Sequence, residues 1–146
     1  MKNFKLFAAA LMCMMVSTVC NAEDRIIPAS QLPAAATSFI QQNFNGKGIA
    51  YAAIDHEFGG KKYEVMLNDG TQIDFDKKGV WDKVDCEMGV VPAALVPAPI
   101  ANYVKANFSN SNVTKIDKER YGFEIELSNG LELKFNKSGM LIAMDD

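Results

Sequence analysis

The stretch Tyr63-Glu64-Val65-Met66-Leu67-Asn68-Asp69-Gly70-Thr71-Gln72-Ile73-Asp74-Phe75-Asp76-Lys77-Lys78-Gly79-Val80-Trp81 decides the reading of this chain. Tyr63, Val65 and Leu67 alternate with Glu64 and Met66, the period-two pattern of a strand with one buried face. Asn68-Asp69-Gly70 marks a tight turn, where glycine takes a positive φ without steric cost. Ile73 and Phe75 then continue the buried face, while Gln72 and Asp74 point away. Asp76-Lys77-Lys78-Gly79 predicts the next turn, and Val80 to Cys86 a further strand. Three antiparallel strands in succession follow from these residues alone.

The same pattern returns sixty residues later. Tyr63-Glu64-Val65 matches Phe123-Glu124-Ile125, Leu67 and Gly70 match Leu127 and Gly130, and Phe75-Asp76-Lys77 with Gly79 matches Phe135-Asn136-Lys137 with Gly139. Upstream, Ile27-Pro28-Ala29 matches Val91-Pro92-Ala93, Pro33 matches Pro97, Phe39-Ile40 matches Tyr103-Val104, and Asn43-Phe44 matches Asn107-Phe108. The offset falls from 64 to 62 to 60 along the chain, and both slips fall where loops absorb length changes. Ala36, Phe39, Ile40 and Phe44 recur at helical spacing after Pro33, as Ile100, Tyr103, Val104 and Phe108 do after Pro97. Further strands near Ile49–Glu57 and Val113–Arg120 are weaker in pattern. The expectation is an α+β chain: a tandem repeat of one helix packed on a four-stranded antiparallel sheet, with the helices on one side of the sheets. The expected organisation is a signal over 1–22, a first repeat over 23–88 and a second over 89–146.

At these residues the sequence resembles the PepSY-like family, small secreted bacterial proteins described as β-lactamase-inhibitor-like. The features that carry the resemblance are Leu32-Pro33 before a helix ending in Asn43-Phe44, then Tyr63-Glu64-Val65, Asp69-Gly70 and Phe75-Asp76-Lys77-Lys78-Gly79-Val80-Trp81. The second copy departs from the last motif, with Asn136 for the acid and Leu141 for the tryptophan. The resemblance implies the helix-on-sheet unit in tandem, export, and a role in binding or inhibiting another protein. It carries over no catalytic residue.

Lys2 and Lys5 precede an unbroken apolar run from Leu6 to Val16, and Cys20-Asn21-Ala22 offers small residues to a signal peptidase. The run is shorter than the ~20 residues a membrane span needs. The chain is therefore expected in the periplasm or secreted. Lipidation at Cys20 is disfavoured, because Val19 stands where a lipobox wants a small residue. Cleavage after Ala22 would leave 124 of the 146 residues, with thirteen basic against eighteen acidic side chains and a net charge of −5. Such a charge excludes nucleic acid as a partner and disfavours an anionic membrane surface. Cys86 would be left alone, so stability has to come from an apolar core rather than a disulfide.

Candidates for chemistry are few. His56 is the one histidine and reads as a solvated loop residue. Cys86 reads as a small buried hydrophobe. Asp74, Asp76 and Gly79 resemble part of a calcium loop, but Asp85 stands where an EF-hand has glutamate, and turns explain these residues better. No glycine-rich phosphate loop precedes a helix. No catalytic residue, cofactor or metal ligand is assigned, and the chain reads as a non-enzyme.

What remains is the sheet face away from the helices. The alternation places Glu64, Met66, Asp74, Glu124, Glu126, Glu132 and Lys134 there, with Trp81 and Lys83 added if the last strand keeps phase. The bland reading is the solvated side of a one-sided sheet. The functional reading is an acidic platform with Met66 and Trp81 as apolar anchors, suited to an extracytoplasmic protein or peptide with basic groups. An exported binding module, an inhibitor or adaptor, is thus the expected function, and a small-molecule or ion binder of the periplasm is the alternative. The residues do not specify an oligomeric state. N-terminal sequencing of the exported protein should begin at Glu23; an N-terminus at a lipid-modified Cys20 would contradict the signal reading.

Overall fold

Alternation decides which side of each strand is apolar, and hydrogen bonding between neighbours then lines those sides up across a sheet. The computed structural model describes residues 24–56 and 60–146; the expected signal lies outside the described residues. The chain runs through β1 (Asp24–Ile27), a single 3₁₀ turn at Ala29–Gln31, α1 (Ala34–Asn43), β2 (Ile49–Asp55), β3 (Lys62–Leu67), β4 (Gln72–Phe75) and β5 (Trp81–Asp85). A second 3₁₀ turn at Ala93–Leu95 leads into α2 (Ala98–Asn107), followed by β6 (Val113–Lys118), β7 (Gly122–Leu127), β8 (Glu132–Asn136) and β9 (Leu141–Asp145).

The nine strands form one antiparallel sheet in sequence order, and this overturns the expected pair of four-stranded sheets. β5 pairs with β6 through Lys83↔Asp117, Val84↔Ile116 and Asp85↔Lys115, so the sheet has no break at the middle of the chain. The physical reason is the edge. Two separate sheets would leave the inner edges of β5 and β6 with unpaired backbone groups, which invite unwanted strand pairing. Pairing them satisfies those groups and fuses two small cores. β1 is the other departure: Asp24–Ile27 precedes the region where strand alternation is legible, yet it pairs with β2 and brings Ile27 opposite Ala52.

One apolar row crosses the sheet from edge to edge. Ile27, Ala52, Val65, Ile73, Val84, Ile116, Ile125, Leu133 and Met144 are successive cross-strand partners. All but Met144, on the edge strand, are buried. Both helices pack on this side. Ala36 and Ile40 of α1, and Ile100 and Val104 of α2, are buried in the same core as the row. Phe39 meets Phe75 edge-on with ring centroids 5.6 Å apart, and Tyr103 meets Phe135 in the same way at 5.5 Å. Phe75 and Phe135 are fully buried.

The short polar motifs hold the helices and turns in place. Asn43 and Asn107 donate from their side-chain amides to the carbonyls of Phe39 and Tyr103, at 2.9 and 3.0 Å, tying the last residue of each helix back to the turn before it. Asp76 Oδ1 accepts from the backbone N–H groups of Lys78 and Val80 at 2.8 and 3.0 Å. Asn136 Oδ1 does the same for Ser138 and Met140, at 3.0 Å each. The turn needs an acceptor oxygen and no charge, which is why Asn136 can replace the acid. Gly79 has a φ of +84°, and a Cβ there would lie 2.8 Å from Pro33 Cβ and 2.9 Å from the Ala36 nitrogen. The β4–β5 turn therefore tucks under the start of α1, and glycine lets it.

Two stability outcomes follow. Phe135→Ala should cost about 3–5 kcal/mol in urea unfolding, the usual loss for a buried phenylalanine. Gly79→Ala should also destabilise by more than 1 kcal/mol, roughly the scale of glycine-to-alanine changes at positive φ. A Gly79→Ala protein as stable as the parent would show that the turn does not press on α1.

Candidate functional site: the open face of the sheet

The strand positions between the buried ones point to the face that no helix covers. Their partners also form rows. Ile26, Ala53, Glu64, Asp74, Lys83, Asp117, Glu124, Lys134 and Ala143 are successive cross-strand neighbours. Beside them run Tyr51, Met66, Gln72, Asp85, Lys115, Glu126, Glu132 and Asp145. Together the two rows hold eight carboxylates against three lysines.

Glu64, Met66, Asp74, Glu124, Glu126, Glu132 and Lys134 all stand in these rows. Trp81 does not, and this corrects the face expected for it. The pairing shifts between Asp74↔Lys83 and Phe75↔Trp81, so Asp82 is an extra residue in β5. That bulge turns Trp81 to the helix side, opposite buried Phe75. There its ring stacks on Phe39, with centroids 6.0 Å apart and planes at 29°. The ammonium of Lys118 lies 4.0 Å from the ring centroid. The tryptophan is thus a half-buried part of the core rim. Alternation in β3, β4, β7 and β8 is enough to place the other residues. Lys83 does stand on this face, between Asp74 and Asp117; Asp85, Lys115 and Asp117 complete it, and the only signal for those three was the neighbouring apolar pair Val84 and Ile116.

The charges are dense enough to perturb one another. Lys115 lies 3.7 Å from Asp117, and Lys134 bridges Glu132 at 3.9 Å and Asp145 at 3.5 Å. Tyr51 donates its hydroxyl to Glu64 at 3.3 Å, Gln72 its amide to Asp74 at 3.3 Å, and Tyr121 its hydroxyl to Glu124 at 2.9 Å. Burial raises the Asp74 and Asp117 carboxyls above the ordinary aspartate value, because desolvation penalises the anion. Glu132 is raised first by the hydrogen bond its protonated carboxyl makes with Glu124, then by desolvation and the Glu124 charge. At one end of the face, Lys62, Asp74, Asp82, Lys83, Asp117, Lys118 and Glu119 line a polar depression of 310 Å³. Lys62 is raised there by its 3.2 Å hydrogen bond to Asp82, while burial lowers Lys118.

The remaining candidates do not converge on a reaction. His56 is exposed just past β2. Cys86 is buried at 8% exposure, and desolvation raises its thiol. Asp76 is engaged in its turn while Asp74 sits on the open face, so the two do not share a site. Among the described residues, no three His, Cys, Asp or Glu side chains are grouped to hold a metal ion. No helix of the described residues is long and apolar enough to cross a membrane.

Fold and site together define a class: a single antiparallel sheet with helices on one side and a charged, uncovered face on the other. Residues 61–143 match the family described as "Putative beta-lactamase-inhibitor-like, PepSY-like", and the chain belongs to this family. Among the solved structures that share the fold, three are described as periplasmic proteins of Bacteroides. A "putative calcium-regulated periplasmic protein" of Bacteroides thetaiotaomicron is 40% identical, with a TM-score of 0.81 over 84% of this chain and 97% of its own. A "putative periplasmic protein" of Bacteroides vulgatus is 35% identical, with a TM-score of 0.82 over 86% and 99%. A second from B. vulgatus, "of unknown function", is 34% identical, with a TM-score of 0.81 over 84% and 99%. No curated protein matches the chain.

A pH outcome follows from the raised carboxyls. An acid whose folded pKa lies above its unfolded one favours the fold while it is protonated, and that contribution is lost as pH rises through the folded value. Glu132→Gln should therefore raise the thermal midpoint at neutral pH, and the gain should vanish as pH falls below the ordinary glutamate range. A gain that persists unchanged at acid pH would contradict the Glu124–Glu132 contact.

Proposed function

We propose that the chain is an exported, non-catalytic binding module that docks an extracytoplasmic protein or peptide bearing basic groups onto the open face of its sheet, as an inhibitor or adaptor. The observation that carries this reading is the excess of carboxylates on that face, eight against three lysines in its two central rows. A solvated face needs no such imbalance, whereas complementary charge steers a basic partner and fixes its orientation. Met66, half-buried among the carboxylates, supplies an apolar contact. Membership of a family described as inhibitor-like and likeness to three periplasmic proteins support the compartment and the absence of turnover.

The test is capture from envelope extract with the wild type and with Glu124→Lys/Glu126→Lys, a variant that keeps the buried row intact. A protein held by the wild type, released by about 0.5 M salt and lost with the variant is the expected result. Equal capture by both would place binding elsewhere.

A second reading is favoured by one relative, the B. thetaiotaomicron protein described as calcium-regulated. Asp117, Glu124, Glu126 and Glu132 stand around Lys115 on the open face, although among the described residues no three of them are grouped as a ready ligand set. Calcium held there would stabilise the fold in proportion to its concentration over its Kd. Lys115 stands among these carboxylates as a competing cation, so the protein-binding reading is preferred. A thermal midpoint that rises with millimolar Ca²⁺ but not Mg²⁺, and stops rising in Glu124→Gln/Glu126→Gln, would reverse that order.

A further inference from the structure

On the helix side, away from the open face, a cleft of 270 Å³ opens between α2, the second 3₁₀ turn and the start of β6. Its walls are mainly apolar, with Val90, Val91, Val96, Val104, Phe108 and Val113, and Ser109, Ser111 and Asn112 are the neutral polar residues of the lining. Val90 is 58% exposed, and the neighbouring Met88 is almost fully exposed at 97%, so apolar surface continues out of the cleft into solvent. Lys105 is the one charged residue in the lining. It makes no ion pair among the described residues, although the chain is acidic overall.

We infer that this cleft binds a small amphipathic carboxylate, with its hydrocarbon chain against the valines and Phe108 and its head on Lys105. Volume limits the chain: a 150 Å³ apolar cavity takes a six-carbon ring, so this cleft suits roughly six to eight carbons. Charge selects the head. A lone ammonium at the end of an apolar wall attracts a carboxylate and repels an amine of the same length. The acidic open face would favour the reverse choice, so preference for a carboxylate identifies this cleft. Binding here is independent of the protein-docking reading, because no lining residue belongs to the open-face rows.

The experiment is an amide NMR titration of the protein with octanoate, octylammonium, octanol and butanoate. Octanoate should shift the amides of Val90, Val91, Val104, Lys105 and Phe108 saturably, with a Kd in the millimolar range or below. Butanoate should bind at least tenfold more weakly, since each methylene removed costs about fourfold. Lys105→Gln should weaken octanoate about fivefold, the worth of one exposed ion pair. Ala101→Leu, on the exposed side of α2 and facing the cleft, should block binding while the Lys105 charge is retained. Octylammonium or octanol binding as well as octanoate would overturn the assignment, and so would octanoate shifts outside the cleft. Cleft shifts that track protein concentration instead of octanoate would mean that another copy fills the groove, and the proposal would fall.

Discussion

The buried row from Ile27 to Leu133 is the constraint on which the rest of the structure depends. It contributes one apolar residue from each of eight consecutive strands, each opposite the next, and its members are between 0% and 6% exposed. A one-residue slip anywhere would send charged neighbours into the core and apolar ones into water. Burying a Val, Leu or Ile side chain is worth about 1.5–3 kcal/mol, so every strand has a strong preference for one register. With the register set, the helices have one face to cover, and the residues of the other face are fixed as well.

That dependence explains the open face. Its rows are the unavoidable complement of the apolar row: Glu64 lies between Tyr63 and Val65, and Glu124 and Glu126 flank Ile125. What the fold does not require is the sign of the charge. Lysine or threonine would be equally compatible with the strands, yet carboxylates predominate, to the point that Glu132 is held above its normal pKa by Glu124. A protein that tolerates like charges on adjacent strands gives up stability there, and the docking of a basic partner would relieve the repulsion.

Much of this was legible in the residues. Clean alternation in Tyr63–Leu67 and Phe123–Leu127 defined strands and faces, and the stripes at Phe39–Ile40 and Tyr103–Val104 defined both helices. Three things were not. β1 is too short to show a period. The β5–β6 pairing joins segments whose link, Glu87–Val91, reads as a break because Gly89 and Pro92 flank it; sequence marks where a chain turns and not which edges later meet. The bulge at Asp82 is invisible to a period-two reading, since one extra residue changes the phase of Trp81 without changing the composition of the strand. The same shift recurs between Lys134 and Phe135, where Leu141 takes the place of Trp81 opposite Phe135.

On the proposed reading the open face, not the helical side, meets the partner. A photoreactive phenylalanine analogue placed at Met66 on the open face, or at Gln42 on the exposed side of α1, tests it in intact cells. Docking on the open face should give crosslinks to another envelope protein from position 66 and none from position 42. Crosslinks from position 42 alone would contradict it and move the partner to the helices.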